Sequence, residues 1–139
     1  MNNYYNYPNY NYQNKVQNQM NYNNPKLYNP YEGFIRGNLF PNLYDGYKDY
    51  KPFQINPMNE QAEMLTNIDS LGFATIDLDL YLDINPNDQN AIGLFNQYRK
   101  EKEELIKNYE LKYGPLLLNS EALNSIPWMW NDRPWPWEN

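Results

Sequence analysis

Leu80-Tyr81-Leu82-Asp83-Ile84-Asn85-Pro86-Asn87-Asp88 decides how this chain folds. Apolar side chains recur at helical spacing on both sides of it, and within it the sequence writes a stop and a restart. Asn85 can cap through its side-chain oxygen, Pro86 suits a first helical turn, and Asp88 falls early enough to favour a helix N-terminus. A link of one or two residues leaves two helices no choice but to fold back as an antiparallel hairpin. The spacing predicts a first helix over 58–84 and a second from this turn to about Tyr113, where Gly114-Pro115 ends it.

On the first helix Met58, Ala62, Leu65, Ile68, Ile76 and Leu80 share one face at 100° per residue. Leu71, Leu78 and Leu82, with Met64, form a second apolar stripe, more than one neighbour can cover, so a further element is expected to pack there. On the second helix Ala91, Phe95, Tyr98, Leu105 and Tyr109 recur at three- and four-residue steps or their multiples, and Arg99 to Glu104 reads as a solvated face with short-range ion pairs. The expected fold class is all-α, an antiparallel two-helix hairpin. So few aliphatic residues leave it marginal without help from its tail or from oligomerisation.

The rest of the chain is organised around that hairpin. Residues 1–31 contain eleven Asn and eight Tyr with almost no aliphatic side chains. Such a tract cannot bury enough apolar surface to offset the entropy of ordering it, so it reads as a disordered tail, either solubilising or a sticker whose phenols and amides self-associate or become cross-linked. Residues 32–57 read as an extended docking segment, with Phe34, Phe40, Leu43 and Tyr44 as anchors among Gly and Pro. After the second helix comes a short helical turn over Ser120 to Leu123. The ending then holds all four Trp, at 128, 130, 135 and 137, with Pro between them. That composition favours an extended, semi-rigid segment with large flat anchors, folded on its own hairpin or plugged into a partner. The candidate partner-binding residues are therefore Phe34, Phe40, Leu43, Tyr44, Leu71, Leu78, Leu82, Trp128, Trp130, Trp135 and Trp137.

Chemistry finds little here. A net charge of −6 repels phosphate backbones and anionic membranes, and no apolar run approaches a bilayer span. The N-terminus lacks the basic start and apolar stretch of a secretion signal, so the chain reads as one that stays in the cytoplasm of its maker. With no Cys and no His, thiolate sites, cysteine nucleophiles and the commonest general base and metal ligand are gone. Asp69, Asp79 and Asp83 lie near the apolar face on a helical projection and are the feature most like an active site. Helical carboxylate metal sites usually add a Glu-x-x-His pair, which this chain cannot form. No cofactor, metal or catalytic residue is expected.

Leu80 to Asp88, followed by Ala91, Phe95-Asn96, Tyr109-Glu110-x-x-Tyr113-Gly114-Pro115-Leu116 and Trp128-x-Trp130-Asn131-x-x-Pro134-Trp135-Pro136-Trp137, resembles the spore coat protein family CotJB over roughly residues 60–139. The turn Ile84-Asn85-Pro86 stands where the family has Thr-His-Pro. Residues 33–52, with Arg36-Gly37-x-x-Phe40-Pro41-x-Leu43-Tyr44 and Tyr47-Lys48, are similar to the short companion coat protein CotJA, implying a fusion or a shared docking motif. The resemblance implies a non-enzymatic protein made in the mother-cell cytoplasm and assembled into the endospore coat. Its implied partners are other coat proteins, among them CotJC, which is similar to manganese catalases, and a CotJA-like protein, with self-association as well. An accessory subunit or regulator of that catalase-like protein is the alternative.

Overall fold

A computed structural model of the chain describes residues 27–41 and 51–131. Its helices are α1 (Pro30–Arg36), α2 (Glu60–Ile84) and α3 (Gln89–Tyr113), followed by two 3-10 turns, Glu121–Leu123 and Met129–Asn131. Among the described residues there is no strand. α2 and α3 have 25 residues each, a length of ~37 Å at 1.5 Å per residue, and pack side by side as the expected antiparallel hairpin.

The turn between them is tighter in its chemistry than the sequence implies. Asn85 closes α2: its backbone N–H donates to the Tyr81 carbonyl at 3.0 Å, and its side-chain amide donates to the same carbonyl at 3.1 Å. The cap of α3 is not Asn85 but Asp88, whose Oδ1 accepts from the Asn90 and Ala91 N–H groups at 3.0 and 3.1 Å. Its other oxygen accepts a 3.1 Å bond from the Tyr81 hydroxyl. Pro86 lies in the turn, outside either helix. The later restart has a physical reason. Asn85 is already engaged in satisfying the end of α2, whereas a carboxylate has enough lone pairs to cap one helix and hold the other.

The seam between the helices corrects the expected faces. Leu71 and Leu78 lie in the core with Ala74, Ala91 and Tyr98, and Leu82 packs partly buried against them. Ile76, Leu80 and Met58, placed inward by the sequence reading, are exposed. The seam repeats every seven residues, as Gln61, Ile68 and Leu82 with Leu71 and Leu78, the spacing of knobs-into-holes packing. Met58 precedes α2, and Leu80 lies about half a turn around the cylinder from Leu71, so the face that meets α3 is the second apolar stripe of the sequence and not the first.

Polar groups close the open end of the hairpin. The buried Gln61 amide donates to the Tyr109 hydroxyl at 2.8 Å, the Tyr109 and Tyr113 rings lie 5.1 Å apart, and Lys112 pairs with Glu60. Beyond α3 the Gly114 N–H returns to the Glu110 carbonyl at 3.1 Å, and the Glu110 carboxylate accepts from the Leu116 N–H at 2.9 Å. Gly114 adopts φ of 103°, a region closed to most side chains. The expected turn after Ser120 is the first 3-10 turn, with the Ser120 hydroxyl accepting from the Ala122 N–H at 3.1 Å.

Asp88→Ala removes both the cap and the Tyr81 contact, and is expected to lower unfolding free energy by at least the ~1 to 2 kcal/mol of a lost cap, read from urea denaturation. Tyr98 supplies a second expectation. Burial, reinforced by the nearby Glu101 charge, pushes its phenol up to about 12 from an ordinary 10.0. A pKa raised by folding contributes stability that is complete below the unfolded value and is lost as pH climbs through the folded one. Stability should therefore fall between pH 10 and about 12, and Tyr98→Phe should flatten that fall in denaturation curves taken across the range.

Candidate docking surface

α2 serves three directions at once. One is α3. The second is covered by the chain's own residues 27–41. Sequence reading gives this region as extended from residue 32, but it forms the two-turn helix α1 and a short return. The Asn29 side chain caps α1 by accepting from the Glu32 N–H at 2.8 Å, and Pro30 occupies the first position. Gly37, at φ 70°, ends it, with the Gly37 and Asn38 N–H groups bonded to the Phe34 and Gly33 carbonyls at 3.2 and 3.0 Å. Pro and Gly read as breakers along the sequence, yet here they stand where a helix begins and stops.

The return after α1 grips α2. The Leu39 N–H donates to Asp77 Oδ2 at 2.7 Å, and the Phe40 ring stacks on Tyr81 with centroids 4.7 Å apart. Phe34 meets Phe73 at 6.2 Å. Asn38 brackets Phe40, accepting its N–H and donating to its carbonyl, both at 2.9 Å. Leu39 is fully buried and Phe40 nearly so, each contributing on the order of 1.5–3 kcal/mol by removal from water. The approach is close enough that a Cβ at Gly33 would lie 3.0 Å from Leu39 Cδ1. Tyr31 then fastens the connector to α2, its hydroxyl accepting from the Ile55 N–H at 3.0 Å.

The third direction of α2 is bare. Ile76, Leu80 and Ile84 are 63%, 59% and 82% exposed, with Asp79 and Asp83 exposed beside them. At the other end of the molecule Leu117, Leu118, Ile126 and Trp128 are also exposed.

Of the sequence candidates, Phe34, Phe40, Leu71, Leu78 and Leu82 are thus brought together, but inside the chain's own packing. Leu71 and Leu78 are closed to a partner in this fold, because α3 and the core already cover them. Trp128 stands at 56% exposure, and Trp130 is half-buried in the last 3-10 turn. Leu43, Tyr44, Trp135 and Trp137, like the tail over 1–26, lie outside the described residues. The exposed row at 76, 80 and 84 was missed, although the seven-residue spacing of Ile68, Leu71, Leu78 and Leu82 would have separated it from the seam.

The acids do not converge. Asp77 is engaged by Leu39 and Asp88 by the α3 amides. Partial burial raises the Asp69 carboxyl above its ordinary value, although the residue as a whole stays exposed. Among the described residues no group of three or more acidic side chains could hold a metal ion, and no helix is long and apolar enough to cross a membrane.

A family model described as CotJB protein matches residues 62–138, which takes in both long helices from the first turn of α2 and the segment beyond them. No curated protein and no solved structure matches the chain.

The close approach at Gly33 gives an opposed pair of expectations. Ala normally exceeds Gly in a helix by ~1 kcal/mol. Gly33→Ala should nonetheless lower the urea midpoint, because its methyl presses on Leu39. Gly93→Ala in α3, where a Cβ meets nothing within 4 Å, should raise it.

Proposed function

The chain belongs to the CotJB family of spore coat proteins, and from that premise we propose that it is a structural and assembly component of the bacterial endospore coat that binds other coat proteins through its helical hairpin and aromatic segments. It is made in the mother-cell cytoplasm and acts without chemistry of its own. The observation that carries this reading is the seat on α2. A fifteen-residue run (27–41) with its own cap and stop lies across the hairpin, held by the Leu39 to Asp77 bond and the Phe40 to Tyr81 stack. That is the anatomy of a peptide on a receptor groove.

Residues 27–41 include part of the stretch that the sequence reading compares with CotJA, and a CotJA-like protein is the companion proposed for the same surface. The exposed Trp128, with Leu117, Leu118 and Ile126, provides a second contact zone at the opposite end. Trp is among the residues most enriched at binding hot spots. A manganese-catalase-like coat protein of the CotJC kind is the partner assigned to that zone, and self-association accompanies it in the assembled layer. The second reading, an accessory subunit that alters the turnover of that enzyme, draws on the same Trp128.

Co-expression with the catalase-like protein, followed by size-exclusion chromatography with light scattering, tests the proposal. The full chain should co-elute, and Trp128→Ala should weaken the complex by about tenfold or more. Enzyme turnover unchanged by the complex supports the assembly role, and altered turnover supports the accessory role. A lone monomer that never co-elutes would sink both.

A further inference from the structure

α2 breaks two local rules in the same place. Ile76, Leu80 and Ile84, at successive i, i+4 positions, are each more than half exposed, forming an apolar ridge ~12 Å long. Among the described residues nothing covers this row, and a contiguous exposed apolar patch marks an interaction site. Beside it the charge is also wrong for a helix end. α2 carries six carboxylates and no Lys or Arg, and its last turn contains no basic residue. The carbonyls of a helix C-terminus carry a partial negative charge that cations normally offset, so Asp83 in the last turn opposes the dipole, and Asp79 one turn earlier adds a second negative charge to the same border. Neither has an ion-pair partner among the described residues.

Sites where local consistency fails are where function is retained at the expense of stability. Here the two failures specify one occupant between them: the ridge asks for apolar side chains at helical spacing, and the acids at its border ask for cations flanking them. We propose that the Ile76, Leu80, Ile84 face docks a cationic amphipathic helix of a partner protein, with its apolar stripe on the ridge and its Lys or Arg side chains over Asp79, Asp83 and the C-terminus of α2. A second copy's α2 is a poor occupant, because it would bring its own Asp79 and Asp83 to the same border. This face is separate from the seat of residues 27–41 and from the Trp128 zone. It names the chemistry of one partner in the docking role proposed above and rests on that role.

The test uses the full chain and a ~18-residue Lys/Leu peptide patterned as an amphipathic helix, with a scrambled peptide of the same composition as control, followed by fluorescence anisotropy. The expected result is saturable one-to-one binding. Leu80→Ser, at an exposed position that leaves the helices intact by circular dichroism, should weaken it about tenfold, and added salt should weaken it further. Asp83→Lys should act in two opposed ways, raising the melting temperature of the free chain by relieving the dipole while weakening the peptide. Equal binding by the scrambled peptide or by the Leu80→Ser chain, or no binding at all, overturns the proposal. So does concentration-dependent dimerisation of the chain alone that Leu80→Ser abolishes, since the occupant is then a second copy. None of these readouts involves the catalase-like protein, so loss of that complex would leave the peptide result to be judged separately.

Discussion

The bond from the Tyr81 hydroxyl to Asp88 is where the three helices are joined. Tyr81 stands in the last turn of α2. Its carbonyl takes the two donors that end that helix, its hydroxyl holds the carboxylate that starts α3, and its ring lies under Phe40. With the turn fixed, the heptad seam runs from Ala91 and Leu78 down to Gln61 and Tyr109, and the segment after α1 finds its place against Asp77 and Tyr81. The Tyr81 phenol is itself raised above its ordinary pKa, first by the hydrogen bond to Asp88 and then by burial, as expected of a donor committed to a carboxylate.

A hairpin of two helices has too little interior to be secure, and this one gains its third layer from its own N-terminal side. Leu39 and Phe40 supply the aliphatic and aromatic bulk that α2 and α3 lack on that flank. The polar contacts are arranged to permit this. Asp77 would be an isolated carboxylate beside Ala74 and Leu78, and it instead accepts a main-chain N–H. Among the described residues no buried side-chain nitrogen or oxygen lacks a partner, so the small core carries no polar penalty.

Much of this was legible in the sequence because the signals are local. The stop at Gly114, the turn near Asn85, the hairpin and the short turn after Ser120 each rest on one or two residues whose backbone preferences act alone. The faces of α2 were not legible in the same way. The sequence offers two apolar stripes on one cylinder, and only the partner helix decides that Leu71 and Leu78 face inward and Ile76 and Leu80 outward. α1 was hidden for the opposite reason. Pro30 and Gly37 have one meaning inside a helix and another at its ends, and a seven-residue helix has too little periodicity to tell them apart. The surface candidates followed suit: Phe34 and Phe40, read as anchors for a partner, pack against α2 of the same chain.

The Leu39 to Asp77 bond joins residues 38 positions apart, and this order matters during synthesis. The segment leaves the ribosome before the helix that will seat it has emerged. At ~5 to 20 residues per second it waits on the order of 2 to 8 s with Leu39 and Phe40 uncovered. The nascent chain is in that interval a peptide without its receptor. The N-terminal layer of the fold therefore closes only after α2 exists, although it is made first.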